Sequence, residues 1–92
     1  MADTWWLYMI ECQGGGIYTG IAKDVEARYA QHVKGKGAKY TKMNPPVRLL
    51  LQVEFANHQE AAKEERRIKT LSHNDKIFLV VSSKVLPLTH HR

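Results

Sequence analysis

A single cysteine, Cys12, is present in the 92-residue chain. An internal disulfide is therefore excluded. Cys12 also lacks the paired spacing of a zinc site, so its default place is a buried strand position in a reducing, cytoplasmic setting. Long apolar runs are missing too. The apolar stretch near the start, Trp5 to Ile10, is far too short to cross a bilayer, and Asp3 precedes it in place of a basic region. Neither a membrane span nor a secretory leader is expected. Repeats and low-complexity tracts are absent. So are acidic residues from Lys34 to Arg48, a stretch reading KGKGAKYTKMNPPVR that carries Lys34, Lys36, Lys39, Lys42 and Arg48 with Tyr40 among them.

What is present fits one small domain. A composition of 43% hydrophobic and 25% charged residues is ordinary for a globular chain, and the length suffices for one core and not two. The core is expected over about residues 4–83, with 84–92 as a tail that is loose from Pro87. A formal charge of +5 favours polyanion partners without requiring them. The acid-free stretch is read either as a solvated loop or as a loop that tracks phosphates, since lysines displace the counterions condensed on a nucleic acid.

Along the chain, residues 5–12 (WWLYMIEC) predict a strand that enters a hairpin at Gln13-Gly14-Gly15, and residues 16–21 predict its return. Asp24 caps a helix that ends at Gly35, with Val25, Tyr29 and Val33 as its packing stripe. Asn44-Pro45-Pro46 stops any further helix. It launches residues 47–55 (VRLLLQVEF), a third strand whose apolar run predicts burial on both faces. Asn57 followed by Glu60 reads as a capping box opening a helix to Leu71 or Ser72. Residues 75–83 are ambiguous: β-branched content argues for a strand, Ser72 as a cap argues for a helix.

The chemistry-bearing residues fall on these elements. A two-residue turn at Gly14-Gly15 puts Tyr18 opposite Glu11, away from Tyr8, whereas a three-residue loop puts both phenols on one face. Arg28 and His32 are neighbours one turn apart on the first helix, and the acidic residue four positions from Arg28, Asp24, is the one read as the helix cap, which leaves the guanidinium to an external anion. An imidazole beside it can carry a proton near neutral pH. On the second helix Glu64 and Glu65 are both candidates for a hard cation, and periodicity does not choose between them.

Together these residues resemble the GIY-YIG nuclease family. The resemblance runs from the Tyr8 strand (Trp6-Leu7-Tyr8) through Tyr18-Thr19-Gly20, Arg28 and His32 to Glu65-Arg66-Arg67-Ile68-Lys69. The string GKGAKYTK, residues 35–42, resembles the small bacterial, uncharacterised branch. The literal Gly16-Ile17-Tyr18 is a coincidence of spelling, because Tyr8 and Tyr18, ten positions apart, supply the separation the resemblance asks for. Leu7 and Thr19 stand where the two central isoleucines are expected, and Trp6 replaces the first glycine.

The resemblance implies an α+β domain with a three-stranded antiparallel sheet flanked by helices, and a helix over residues 75–83. It implies an endonuclease, a hydrolase of DNA phosphodiesters working in DNA repair or processing with one Mg²⁺ or Mn²⁺. Glu65 would hold the metal, Tyr8 would act as or position the general base, Arg28 would neutralise phosphate charge, and Tyr18 and His32 would orient water and phosphate. Lys34, Lys36, Lys39, Tyr40 and Lys42 form the expected nucleic-acid surface. With no separate recognition domain expected in so short a chain, DNA binding would be structure-selective, or directed by a protein partner. The alternative is a non-catalytic nucleic-acid-binding module on the same scaffold. The nuclease reading requires Tyr8, Tyr18, Arg28, His32 and Glu65 to meet at one open pocket, with Glu64 pointing elsewhere.

Overall fold

Three strands and four helices follow one another in the computed structural model, which describes residues 3–89, with side chains described through Ser83. The elements are β1 (Trp5–Cys12), β2 (Ile17–Ala22), α1 (Val25–Val33), α2 (Lys39–Met43), β3 (Pro46–Phe55), α3 (His58–Lys69) and α4 (His73–Thr89). The sheet is antiparallel in the order β2-β1-β3. None of the described helices is long and apolar enough to cross a membrane.

Hairpin geometry sets the rest. The Cys12 N–H donates to Gly16 O at 2.9 Å and the Gly15 N–H to Cys12 O at 3.0 Å, closing a three-residue loop, Gln13 to Gly15. Gly14 and Gly15 both take φ near +90°, at 90° and 91°, a region that side chains with a Cβ rarely enter. The resulting register pairs Tyr8 with Gly20 and Ile10 with Tyr18, so both tyrosines stand on one face.

Central position decides which strand is buried on both sides. Leu7, Tyr8, Met9 and Ile10 of β1 are all buried. The expectation of a doubly buried third strand is corrected: β3 lies at the edge, and Val47, Leu49 and Val53 are 53%, 37% and 42% exposed. An apolar run alone cannot say where a strand sits in its sheet. Between Met9 and Ile10 the β3 register shifts at Leu50, a bulge of the kind that discourages edge pairing.

Alternation divides the core. Leu7 and Met9 pack with Ile17, Ile68 and Val80 beneath α3 and α4. Tyr8, Ile10 and Cys12 pack with Ala22 and Val25 beneath α1.

Capping follows the sequence. Asp24 accepts from the Ala27 N–H at 3.0 Å, Asn57 from the Glu60 N–H at 2.9 Å and the Ser72 hydroxyl from the Asp75 N–H at 3.1 Å. The expected α1 stripe is corrected at its end, since Val33 is 57% exposed and His32 takes the inward place. At 3.6 residues per turn, position 32 lies only about 20° around the helix from Val25, whereas position 33 lies about 80° away. Residues 39–43, expected as loop, form α2. The last element is a helix despite its β-branched content. It continues to Thr89, so the tail expected from residue 84 starts as helix, while residues 90–92 lie outside the described residues.

Candidate active site

The Tyr8 ring crosses β2 at the one residue that leaves room for it. A Cβ on Gly20 would stand 2.5 Å from Tyr8 Oη and 2.7 Å from its Cζ, closer than atoms can pack. Tyr18, from the next pair of the register, lies beside it with ring centroids 6.3 Å apart. From α1, His32 reaches both: its ring is 5.9 Å from Tyr8 and 5.1 Å from Tyr18, and its Nε2 is 2.9 Å from Tyr8 Oη. Its Nδ1 lies 2.7 Å from Thr41 Oγ1 of α2.

Arg28 sits one turn earlier on α1, where its Nη1 donates to Gln31 Oε1 at 2.7 Å. The neutral amide leaves its charge unneutralised, and that charge reaches both Tyr8 and His32. Burial pushes the Tyr8 phenol up to about 12, with Tyr18 adding and Arg28 opposing; Glu65 raises it further. Burial also lowers His32, and Arg28 lowers it again, so the imidazole is neutral at pH 7. Glu65 enters from α3 with its side chain 20% exposed and Oε2 3.2 Å from Lys69 Nζ. Lys69 in turn lies 5.9 Å over the Tyr18 ring.

Glu64 points elsewhere. It accepts from Arg67 Nε at 3.1 Å, which holds its carboxyl below the usual range, and it lines an apolar cavity with Leu7, Leu51 and Ile68 on the other face of the sheet.

Of the residues singled out by sequence, Tyr8, Tyr18, Arg28, His32 and Glu65 are thus brought to one place. The expected open pocket is corrected, however. Tyr8 and His32 are each 1% exposed, so what meets solvent is a surface of Tyr18, Arg28, Glu65 and Lys69. Two tyrosines and a histidine on adjacent elements fill the space they were expected to line. Lys34, Lys36, Lys39 and Lys42 are exposed around α2. Tyr40, read as part of that basic surface, also belongs to the rim of the cluster: its ring lies 6.1 Å from Tyr18 at 21°, and its hydroxyl covers Gly16.

Sequence reasoning does not single out Gly37 or Thr41, yet both touch His32. A Cβ on Gly37 would lie 2.1 Å from His32 Nδ1. The only signal in the sequence is a Gly, an Ala and a Thr interleaved with lysines. Among the described residues no group of three or more His, Cys, Asp or Glu side chains is arranged to hold a metal; Glu65 offers one carboxylate.

Comparison with known proteins identifies the family. Residues 4–77 match the GIY-YIG catalytic domain. A UPF0213 protein of Cupriavidus pinatubonensis is 53% identical over 73 residues, 79% of this chain and 81% of that one. A UPF0213 protein of Staphylococcus saprophyticus is 45% identical over 85% of this chain and 95% of its own. Among solved structures, the solution structure of a UPF0213 protein from Bacillus halodurans is 40% identical with a TM-score of 0.55, covering 85% of this chain and 83% of that one. A protein from E. faecalis, 31% identical, gives a TM-score of 0.60 over 100% of this chain and 97% of its own. The match over residues 4–77 and relatives 45–53% identical over most of the chain make it a member of the GIY-YIG catalytic domain family, of the same bacterial kind as the UPF0213 proteins.

Proposed function

We propose that this chain is a metal-dependent endonuclease that hydrolyses DNA phosphodiester bonds in DNA repair or processing in the cytoplasm. The observation that carries the reading is the meeting of the Tyr8 phenol with His32 Nε2 at 2.9 Å, inside the reach of both the Arg28 charge and the Glu65 carboxylate.

Glu65 fits the holder of a single Mg²⁺ or Mn²⁺. Such an ion takes one or two carboxylates and completes its shell with water and substrate phosphate, and Glu65 is a partly exposed carboxylate whose one close partner among the described residues is a lysine. When bound, the ion supplies polarisation of the scissile phosphate and stabilisation of the leaving oxygen. The remaining work belongs to the chain. A phenol pushed up to about 12 is not a free phenolate at neutral pH, so Tyr8 takes a proton from the attacking water only as it passes its own to the neutral imidazole. Arg28 neutralises charge growing on the phosphate. It lies by the Tyr8 hydroxyl, and a phosphate drawing it outward opens the phenol to water. Tyr18 orients the phosphate, while Lys34, Lys36, Lys39, Lys42 and Tyr40 hold the flanking backbone. Contacts of this kind select DNA structure rather than sequence, and a protein partner can add recognition.

The 1% exposure of Tyr8 and His32 favours one second reading, a nucleic-acid-binding module that does not cleave. A single panel separates the two. Nicked, branched and single-stranded DNA are incubated with the chain and Mg²⁺ or Mn²⁺, alongside Glu65→Ala and Arg28→Ala. The nuclease reading expects cleavage that falls about 10²- to 10³-fold in each variant. Absence of wild-type cleavage, together with DNA affinity that weakens steeply with salt, selects the module.

A further inference from the structure

The segment from Gly37 to Thr41 closes over the inner edge of His32, and it does so with polar atoms. Each ring nitrogen has one close partner: Tyr8 Oη lies 2.9 Å from Nε2 and Thr41 Oγ1 lies 2.7 Å from Nδ1. A neutral imidazole carries one proton, and its nitrogens then play opposite roles, one donor and one acceptor. Thr41 decides which is which. Its hydroxyl has a single hydrogen, and Ala38 O, three residues back, takes that hydrogen at 2.9 Å. Only lone pairs are left facing Nδ1, so Nδ1 is the nitrogen that carries the proton and donates. Nε2 is then bare and accepts from the Tyr8 phenol.

One contact pulls the other way: the Ala38 N–H points at Nδ1 from 3.4 Å and favours a bare Nδ1, but it lies beyond the usual range of about 2.7–3.2 Å for an N–H donor, and the Thr41 oxygen at 2.7 Å outweighs it. Gly37 leaves the ring no space to withdraw, since any Cβ there would collide with Nδ1.

We propose that Thr41 is a positioning residue: its hydroxyl, turned away by the Ala38 carbonyl, fixes His32 as the Nδ1–H tautomer and so makes Nε2 the acceptor for the Tyr8 proton. The consequence for hydrolysis rests on the nuclease reading; the tautomer does not. In the step itself the water oxygen attacks phosphorus while its proton passes to Tyr8 Oη. The phenol proton passes to Nε2, the bond from phosphorus to the leaving oxygen breaks, and that oxygen takes a proton from solvent. His32 becomes imidazolium, with Nδ1–H still donating to Thr41, and it later returns its extra proton to solvent through Tyr8. With the other tautomer Nε2–H would donate to the phenol oxygen, and the phenol proton would have nowhere to go.

Nitrogen-15 NMR of the His32 ring in the full chain reads the tautomer directly, without DNA. The wild type is expected to show a protonated Nδ1 and a bare Nε2. Thr41→Val removes the acceptor and leaves the Ala38 N–H as the group facing Nδ1, so the proton moves to Nε2; Thr41→Ser keeps the wild-type pattern. In the cleavage assay kcat of Thr41→Val falls about 10- to 100-fold at unchanged KM, the range seen when a group orienting a reacting residue is lost, and Thr41→Ser restores it. A wild-type ring protonated at Nε2 overturns the proposal, even if Thr41→Val fails to fold. So does a folded Thr41→Val that keeps the proton on Nδ1. A wild-type chain that does not cleave overturns the nuclease reading instead and leaves the ring spectra to decide this one.

Discussion

The two faces of one small sheet are built to different standards. Beneath α1, the buried polar atoms of Tyr8, His32 and Thr41 all have partners, and two glycines, Gly20 and Gly37, admit side chains that a single Cβ would exclude. Beneath α3 and α4, cavities of about 80 and 210 Å³ remain along the sheet. Phe78 of α4 is 72% exposed, and the two buried polar atoms left without a partner among the described residues, Trp5 Nε1 and Thr19 Oγ1, belong to residues whose alternation puts them on that side. An apolar face tolerates imperfect filling because dispersion is graded and non-directional. A buried polar network does not, because a half-satisfied network is worse than none. Close fit is therefore concentrated where the proposed chemistry lies.

The sharpest way to break this contrast is to add one carbon to each face. Gly37→Ala puts a Cβ 2.1 Å from His32 Nδ1 and 2.7 Å from its Cε1, and neither the ring nor the backbone can move without losing Tyr8 or Thr41. A cost of about 2–3 kcal/mol is expected, which lowers Tm by roughly 10–20 °C at about 4–8 °C per kcal/mol for a domain of this size. Val53→Ile adds the same single carbon beside the 80 Å³ cavity and is expected to stay within about 0.5 kcal/mol of wild type. Thermal melts of the two variants test the comparison. Equal losses would mean that the faces are packed alike.

The same contrast explains what could be read in advance. The caps, the hairpin and the positions of the three strands were legible because they rest on local chemistry: Asp24 and Asn57 as caps, the glycines of the hairpin, the apolar runs of the strands; the hairpin register, α2 and the last helix were not settled by it. The meeting of five polar side chains was legible only through a family resemblance, since no local rule brings α3 next to β1. The cage around His32 was not legible at all. It depends on a nine-residue return from His32 to Thr41 through a segment whose lysines dominate any reading of charge, and the stripe drawn through Val33 pointed one residue away from the true inward position. Edge and centre were likewise confused for β3, because apolar content reports burial potential and not neighbours.

A smaller effect separates the faces by pH. Burial, and Arg28 after it, lowers the His32 pKa from 6.5, so the folded chain holds the imidazole neutral while the unfolded chain protonates it more readily. Below about pH 6.5 the unfolded state binds more protons, and stability falls as pH falls; above it the contribution is fully present. Denaturation midpoints measured from pH 8 to 5.5 should decline for the wild type and decline less for His32→Gln. Equal slopes would place the acid sensitivity elsewhere. Cleavage should hold its rate further into acid than stability does and fall only once the lowered His32 pKa of the folded chain is passed, because an imidazolium cannot accept the Tyr8 proton.

The smallest expected change runs in the opposite direction. Thr19 is 2% exposed and pairs with Met9, so its hydroxyl faces the apolar side of the sheet with no partner among the described residues. A buried hydroxyl without a partner carries its desolvation cost uncompensated, and a methyl of similar shape removes that cost while keeping β-branching. Thr19→Val is therefore expected to raise stability by about 1 kcal/mol, or roughly 4–8 °C in Tm, with cleavage unchanged because residue 19 points away from Tyr8. The paired change on the other face, Thr41→Val, removes a hydroxyl that is bonded twice and should destabilise. If both substitutions moved stability the same way, satisfaction of polar groups would not be what distinguishes the two sides of the sheet.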